Sequence, residues 1–136
     1  MKSNLRNISL FQGVFFGEEI SRLIPIEIKD VIPWEVARIF FIQVSNSEKR
    51  GFHSHKNCNQ AIICVLGSVK IICKDGEQID EYYLKQNTEI LVVPSNIWLE
   101  LELSDNCVIA VLCDLAYSED DYIRNWDEFL LHQGLK

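Results

Sequence analysis

Short apolar runs separated by turn residues constrain this chain more than any other feature. From residue 37 onward they read ARIFFIQV (37–44), AIICVL (61–66), VKIIC (69–73), IDEYYL (79–84), EILVV (89–93), IWLELEL (97–103) and CVIAVLCD (107–114). Most are shorter than a typical helix, are rich in β-branched and aromatic residues, and are bounded by Gly, Pro, Asn, Asp or Ser. Lys74-Asp75-Gly76-Glu77 carries the Asp-Gly signal of a hairpin turn. Ahead of these, residues 5–18 place Ile8, Leu10, Phe11, Val14, Phe15 and Phe16 around Gly13 and Gly17 and predict two short strands. Residues 22–29, with Leu23, Ile24, Ile26 and Ile28, predict another. Pro25 within it favours an edge or a crossing between protomers. Pro33 and Trp34 mark a turn. Roughly ten strands with turns every 8–12 residues or so predict an all-β sandwich or barrel.

The ending is different. Residues 118–131 (SEDDYIRNWDEFLL) set Ile123, Trp126, Phe129 and Leu130 three or four apart behind a run of acids. That is the pattern of a short amphipathic helix with a favourable dipole, in a C-terminal tail over 118–133. With 136 residues, 48% of them apolar, the chain has enough to bury one real core, and residues 1–136 are read as a single domain. A net charge of −7 without a basic block argues against a nucleic-acid partner. No apolar run approaches the roughly 20 residues of a membrane span. The opening MKSNLR has no hydrophobic run behind it, so no signal peptide is expected. Five cysteines without a Cys-x-x-Cys pair, four of them in or beside apolar runs, read as reduced thiols of a cytoplasmic protein.

Residues 50–67 (RGFHSHKNCNQAIICVLG) hold two of the three histidines, His53 and His55. In an extended segment, residues two apart share a face, so both imidazoles project to one side. His-x-His, four residues, a polar position, six residues and a Gly is the spacing of the first cupin motif, with Gln60 where metal-binding cupins carry Glu. The second half of that signature is a Pro turn with a His five residues later; here it runs from Pro94 to Leu99. Two imidazoles and a neutral amide, with leucine at the third imidazole's place, are a poor donor set for a transition metal. The chain therefore resembles a cupin (a jelly-roll β-barrel) whose metal site has been dismantled, and no cofactor is expected.

Several side chains are candidates for chemistry. His53 and His55 either line a ligand cavity, where neutral imidazoles suit proton transfer near neutral pH, or sit at a solvated barrel mouth. Arg38 opens an apolar strand and Arg50 precedes His53 by three residues; either pairs with surface acids or holds a phosphate or developing oxyanion. Gln60 is placed to fix an imidazole or a substrate hydroxyl. Lys56 is a further candidate contact. Trp98 is core or a platform for a sugar or base ring, and Glu100, of the same strand parity, faces the way Trp98 does. His132 reads as a surface residue.

R-G-F-H-S-H-K at residues 50–56 is similar to the R-G-x-H-A-H-K motif of the sugar 3,4-ketoisomerases that act on dTDP-4-keto-6-deoxyglucose. The strand ending CVLGSV (64–69), the turn before Trp98-Leu99-Glu100 and the tail DDYIRNWDEF (120–129) match as well, so the resemblance runs from about residue 27 to 129. It implies a metal-independent cupin, a homodimer that exchanges N-terminal strands, and a dTDP-linked 4-keto-6-deoxy sugar as substrate. It implies His53 and His55 as the catalytic pair, with Arg38, Arg50, Lys56, Gln60, Trp98 and Glu100 around the substrate. The chain departs from that family at Leu99, where His or Arg is usual, and at Phe41, where tyrosine is frequent. The rival readings are a non-catalytic nucleotide-sugar-binding cupin and a cupin-type nucleotide-sugar epimerase. The latter commonly uses a His–Asp pair with a tyrosine acid, and the sequence places no Asp next to His53.

Overall fold

The structure is a computed structural model that describes residues 5–86 and 89–136. The opening residues, on which the expectation of no signal peptide partly rests, lie mostly outside that range. Two five-stranded antiparallel sheets face one another. The first runs β1 (Ser9–Gln12), β9 (Glu89–Val93), β6 (Gln60–Leu66), β11 (Cys107–Cys113) and β4 (Arg38–Val44). The second runs β12 (Tyr122–Ile123), β5 (Glu48–His55), β10 (Trp98–Leu103), β7 (Ser68–Lys74) and β8 (Ile79–Lys85). β2 (Phe16–Glu18) and β3 (Ser21–Leu23) form a separate hairpin. This is the jelly-roll architecture expected, with strand connections that hop between sheets.

Period-two patterning decides which side chains meet. Leu99, Leu101 and Leu103 on β10, Ile62 and Cys64 on β6, and Ile109 and Val111 on β11 fill the space between the sheets. A second apolar layer covers the outer face of the first sheet, where Ile26, Ile32 and Trp34 pack over Ala61, Ile90, Val92 and Leu112. The Asp75–Gly76 turn forms as expected: Asp75 Oδ1 accepts from the backbone N–H of Glu77 at 2.8 Å and of Gln78 at 2.7 Å.

Two expected elements differ. The strand expected over residues 22–29 is only β3, after which the chain passes Pro25 and makes one helical turn, α1 (Ile28–Val31). Pro25 has no N–H to give a ladder. The apolar alternation there serves one-sided packing of an irregular segment on the first sheet.

The helix expected over 118–131 is shorter. A 3-10 turn at Glu119–Asp121 leads into β12, and the helix α2 spans only Trp126–His132. β5 lies at the sheet margin with its backbone groups open, and the tail satisfies them: Lys56 N–H donates to Asp121 O at 2.8 Å, and Tyr122 and Ile123 pair with His55 and Ser54. Ladder bonds outweigh a weak local preference for helix. α2 then starts where Asn125 caps it, its side-chain oxygen accepting from Glu128 N at 3.0 Å. Phe129, with no exposed surface, and Trp126 dock the helix against Trp98. No helix among the described residues is long and apolar enough to cross a membrane.

Candidate active site

The His segment is strand, with one irregularity that aims it. Gly51 (φ 90°) and Phe52 (φ 58°) both take left-handed backbone. Opposite them the ladder slips, pairing Leu99 with His53 and Glu100 with Gly51. Phe52 is the extra residue of a β-bulge, the device that bends a strand and redirects its next side chain. A Cβ at Gly51 would meet the Leu99 carbonyl oxygen at 2.8 Å, so the bulge needs glycine there on two counts.

Beyond the bulge, His53 and His55 turn to the same face, their rings 5.2 Å apart and nearly perpendicular. Tyr122 leans over both, at 5.0 Å from His53 and 4.3 Å from His55. His53 lines an interior cavity of about 300 Å³ whose wall also includes Arg50, Gln60, Leu99, Tyr122 and Arg124. Phe40 and Phe41 close another side.

The two imidazoles are held differently. His53 Nδ1 lies 3.1 Å from the Gly51 carbonyl. A carbonyl only accepts, so Nδ1 carries the proton and Nε2 holds the free lone pair. Burial, reinforced by His55, pulls the His53 imidazole down to about 4. It is therefore neutral at physiological pH.

His55 is buried and engaged at both nitrogens: Nδ1 with Asp121 Oδ2 at 2.9 Å, and Nε2 with Gln60 Nε2 at 3.2 Å. Its pKa is lowered by burial, against the pull of Asp121. The contact at Nδ1 is thus a hydrogen bond from a neutral ring to a carboxylate. Burial opposes ionisation of Asp121, but the His55 N–H and the backbone N–H of Asn57 and Cys58 outweigh it and hold the carboxyl below its ordinary value.

The structure brings together His53, His55, Gln60 and Arg50, and sets Arg38 close behind. Arg38 Nη2 donates to Cys113 Sγ at 3.5 Å, and its guanidinium lies over Phe40 and Tyr117. Three expected contacts are corrected. Trp98 and Glu100 point to the opposite face of β10 from Leu99: Trp98 is buried against Trp126 and Phe129, and its Nε1 donates to Glu100 Oε2 at 3.0 Å. Glu100 also pairs with Lys74 at 2.9 Å. Lys56 borders an outer depression beside Glu128 and His132. His132 is tied to Asn96, 3.0 Å away.

Asp121, Tyr122 and Arg124 were missed. Asp121 supplies the carboxylate that the sequence reading did not find, but to His55 and from the far end of the chain. Arg124 stacks on Tyr122 at 4.3 Å and forks onto Glu119 at 2.6 and 3.1 Å.

The residues present do not fit a cupin metal. Leu99 stands opposite His53 where a third imidazole would be, and both nitrogens of His55 already have partners. His55, Cys58 and Asp121 offer atoms within 4.8 Å of one another. However, Asp121 already accepts three N–H groups, and the neighbouring Cys113 together with burial pushes the Cys58 thiol far up, keeping it protonated.

A jelly roll with two imidazoles side by side and a leucine in the third ligand's place is the framework of a cupin. The FdtA family (WxcM-like, C-terminal) matches residues 4–133, and the chain belongs to it. It is 38% identical over 109 residues to the TDP-4-oxo-6-deoxy-α-D-glucose-3,4-oxoisomerase of Aneurinibacillus thermoaerophilus, covering 79% of this chain and 78% of that protein. The 3,4-ketoisomerase QdtA of Thermoanaerobacterium thermosaccharolyticum, solved as an asparagine-for-histidine mutant with TDP-4-keto-6-deoxyglucose, is 33% identical. It superposes with a TM-score of 0.86 over 95% of each chain. WlaRB, a TDP-quinovose 3,4-ketoisomerase of Campylobacter jejuni, is 31% identical with a TM-score of 0.83, covering 93% of this chain and 99% of that one.

Proposed function

We propose that the protein is an isomerase that converts a TDP-4-keto-6-deoxyhexose to its 3-keto isomer. The observation that carries this reading is His53: a neutral ring on the cavity wall whose Nδ1–H is committed to Gly51, leaving Nε2 to accept a proton. The relatives' activities support it.

The C3–H of a 4-keto sugar is acidified by the neighbouring carbonyl. His53 removes that proton, and the electron pair forms the C3–C4 double bond of an enediolate with charge on O4. O4 gains a proton, O3 loses one, and His53 returns its proton to C4, leaving a ketone at C3. Nothing is oxidised overall, since a hydrogen and a carbonyl exchange neighbours. Arg50, on the cavity wall, stabilises the developing negative charge, the O3 proton passes to O4, and His55, held by Asp121 and Gln60, is the partner that supports His53. Lys56, Trp98 and Glu100 take no part.

We also propose a single cupin domain working as a homodimer through exchanged N-terminal strands. The β2–β3 hairpin exposes Phe16, Ile20 and Leu23, and β4 exposes Ile39 and Phe41, an apolar surface that a second copy would cover. Sedimentation velocity tests it; a monomer at micromolar concentration would dismiss it.

The test of the reaction is incubation with TDP-4-keto-6-deoxyglucose and a 3-aminotransferase, reading out the 3-amino sugar. Deuterium uptake at C3 in D2O separates catalysis from mere binding. The epimerase reading gains one point from the structure, because a His–Asp pair and a tyrosine do meet at His55. A product with inverted C3 and the ketone still at C4 would favour it.

A further inference from the structure

The inner face of the first sheet carries one polar row that the proposed reaction does not use. Arg38 on β4, Cys113 on β11 and Gln60 on β6 are direct cross-strand partners. Arg38 Nη2 donates to Cys113 Sγ at 3.5 Å, and Gln60 Nε2 donates to the same sulfur at 3.8 Å. The Cys58 thiol, in the loop between β5 and β6, turns its proton to the Asn59 carbonyl at 3.4 Å. Cys113 has no exposed surface. Two donors converging on a buried sulfur, one of them a guanidinium, make a setting that favours thiolate.

We propose that Cys113 is a positioning residue: as the shared acceptor of Arg38 and Gln60, its sulfur turns the Gln60 amide so that an N–H meets His55 Nε2 and fixes His55 in the Nδ1–H tautomer. An amide has a donor end and an acceptor end. With an electron-rich sulfur on one side and the His55 lone pair on the other, the NH2 end satisfies both at once. A flipped amide would aim its oxygen at the sulfur and require a proton on His55 Nε2, which would strip Asp121 of its Nδ1–H donor unless the buried ring became charged. One sulfur thereby sets the state of a relay, Cys113–Gln60–His55–Asp121, that crosses from the first sheet to the second.

The electrostatics agree. The neighbouring Cys58, aided by Arg38 and opposed by burial, brings the Cys113 thiol down to about 6, while Cys58 moves the other way. The titratable and charged groups that bear on Cys113 are Arg38 from β4, Cys58 from the loop and, across Gln60, His55 from β5. Asp114, next in sequence, is turned away onto Asn59 at 2.7 and 2.8 Å. The division of labour between the imidazoles follows. The His55 lone pair is already taken by Gln60, so His53 alone is free to receive the carbon-bound proton. Only this kinetic consequence rests on the ketoisomerase reading.

Two measurements on the resting protein test the inference without substrate. Ultraviolet thiolate absorbance, followed through the pH range around 6, should show one step of single-thiolate amplitude in the wild type and none in Cys113→Ser. Ring-nitrogen NMR should find His55 wholly Nδ1-protonated in the wild type and mixed between tautomers in Cys113→Ser. In turnover, Cys113→Ala should lower kcat about tenfold with KM little changed, and Cys113→Asp, which restores an anionic acceptor, should recover most of it. A thiol that stays protonated at neutral pH, or a His55 tautomer indifferent to residue 113, overturns the proposal. The wild-type absorbance step alone suffices if the variants misfold. A protein that passes both spectroscopic tests yet turns over no TDP-4-keto sugar keeps this relay and loses the reaction.

Discussion

Asp121 Oδ2 lies 2.9 Å from His55 Nδ1, joining a residue of the C-terminal tail to the second imidazole of the His-x-His pair. The tail delivers that carboxylate by adding β12 to the margin of β5, with Tyr122 paired to His55 itself. Asp121→Asn should keep the β12 ladder but lose the charge that fixes the ring. Turnover should fall about 10–100-fold with KM within about twofold. Steady-state kinetics decide it, and an unchanged kcat would remove Asp121 from the machinery.

His53 and His55 should separate by experiment. His53→Asn should abolish deuterium uptake at C3 in D2O while circular dichroism stays that of the wild type. Exchange surviving at more than about a hundredth of the wild-type rate would reject His53 as the base, since general-base groups contribute roughly 10²–10⁴-fold.

Acid should weaken the fold through the same residue. The His53 imidazole titrates at about 4 in the folded protein and near 6.5 when unfolded. Between those values the unfolded chain binds more protons, so stability falls as pH drops through that window and is fully present above it. Urea midpoints across this range should slope less for His53→Asn than for the wild type. Parallel slopes would refute the assignment.

Leu99 faces His53 across the ladder and lines the cavity at the place of the missing third imidazole. Leu99→His would put a second donor beside C4 of the sugar and should shift the ratio of C4 epimers in the product, read by NMR. An unaltered ratio would show that residue 99 does not select the product.

Phe129 anchors the tail that carries Asp121 and Tyr122. Phe129→Ala should cost about 3–5 kcal/mol, measured by chemical denaturation. Loss of activity should appear at denaturant concentrations below global unfolding, because the tail leaves first. Coincident loss of activity and fold would show that the tail is no separate unit.

The strand order is not written in the sequence, but the strands are: period-two runs between turn residues survive any context, so the jelly roll was legible from residue 37 onward. The shared face of His53 and His55 was legible for the same reason. Parity says which residues share a face without saying which face is inside, and there the reading of Trp98 and Glu100 failed. The signal was available in Leu99, Leu101 and Leu103, an apolar stripe opposite Trp98, Glu100 and Glu102, which marks the inward side of β10. Asp121 was hidden for another reason. Its neighbours have helical spacing and an acidic front, so local rules assign it to a helix, whereas its side-chain partner His55 lies in β5, more than sixty residues earlier. Arg38, Cys113 and Gln60 were each visible singly, but their alignment depends on the register of three non-consecutive strands.

The bulge at Gly51 and Phe52 ties two positions together that look independent on paper. Any side chain at residue 51 would press on the main-chain oxygen of Leu99 and displace the very strand that presents residue 99 to the cavity. Variation at these two sites should therefore travel in pairs, and a laboratory search for altered product outcome that randomises residue 99 alone would explore only those solutions compatible with a fixed hinge beside His53.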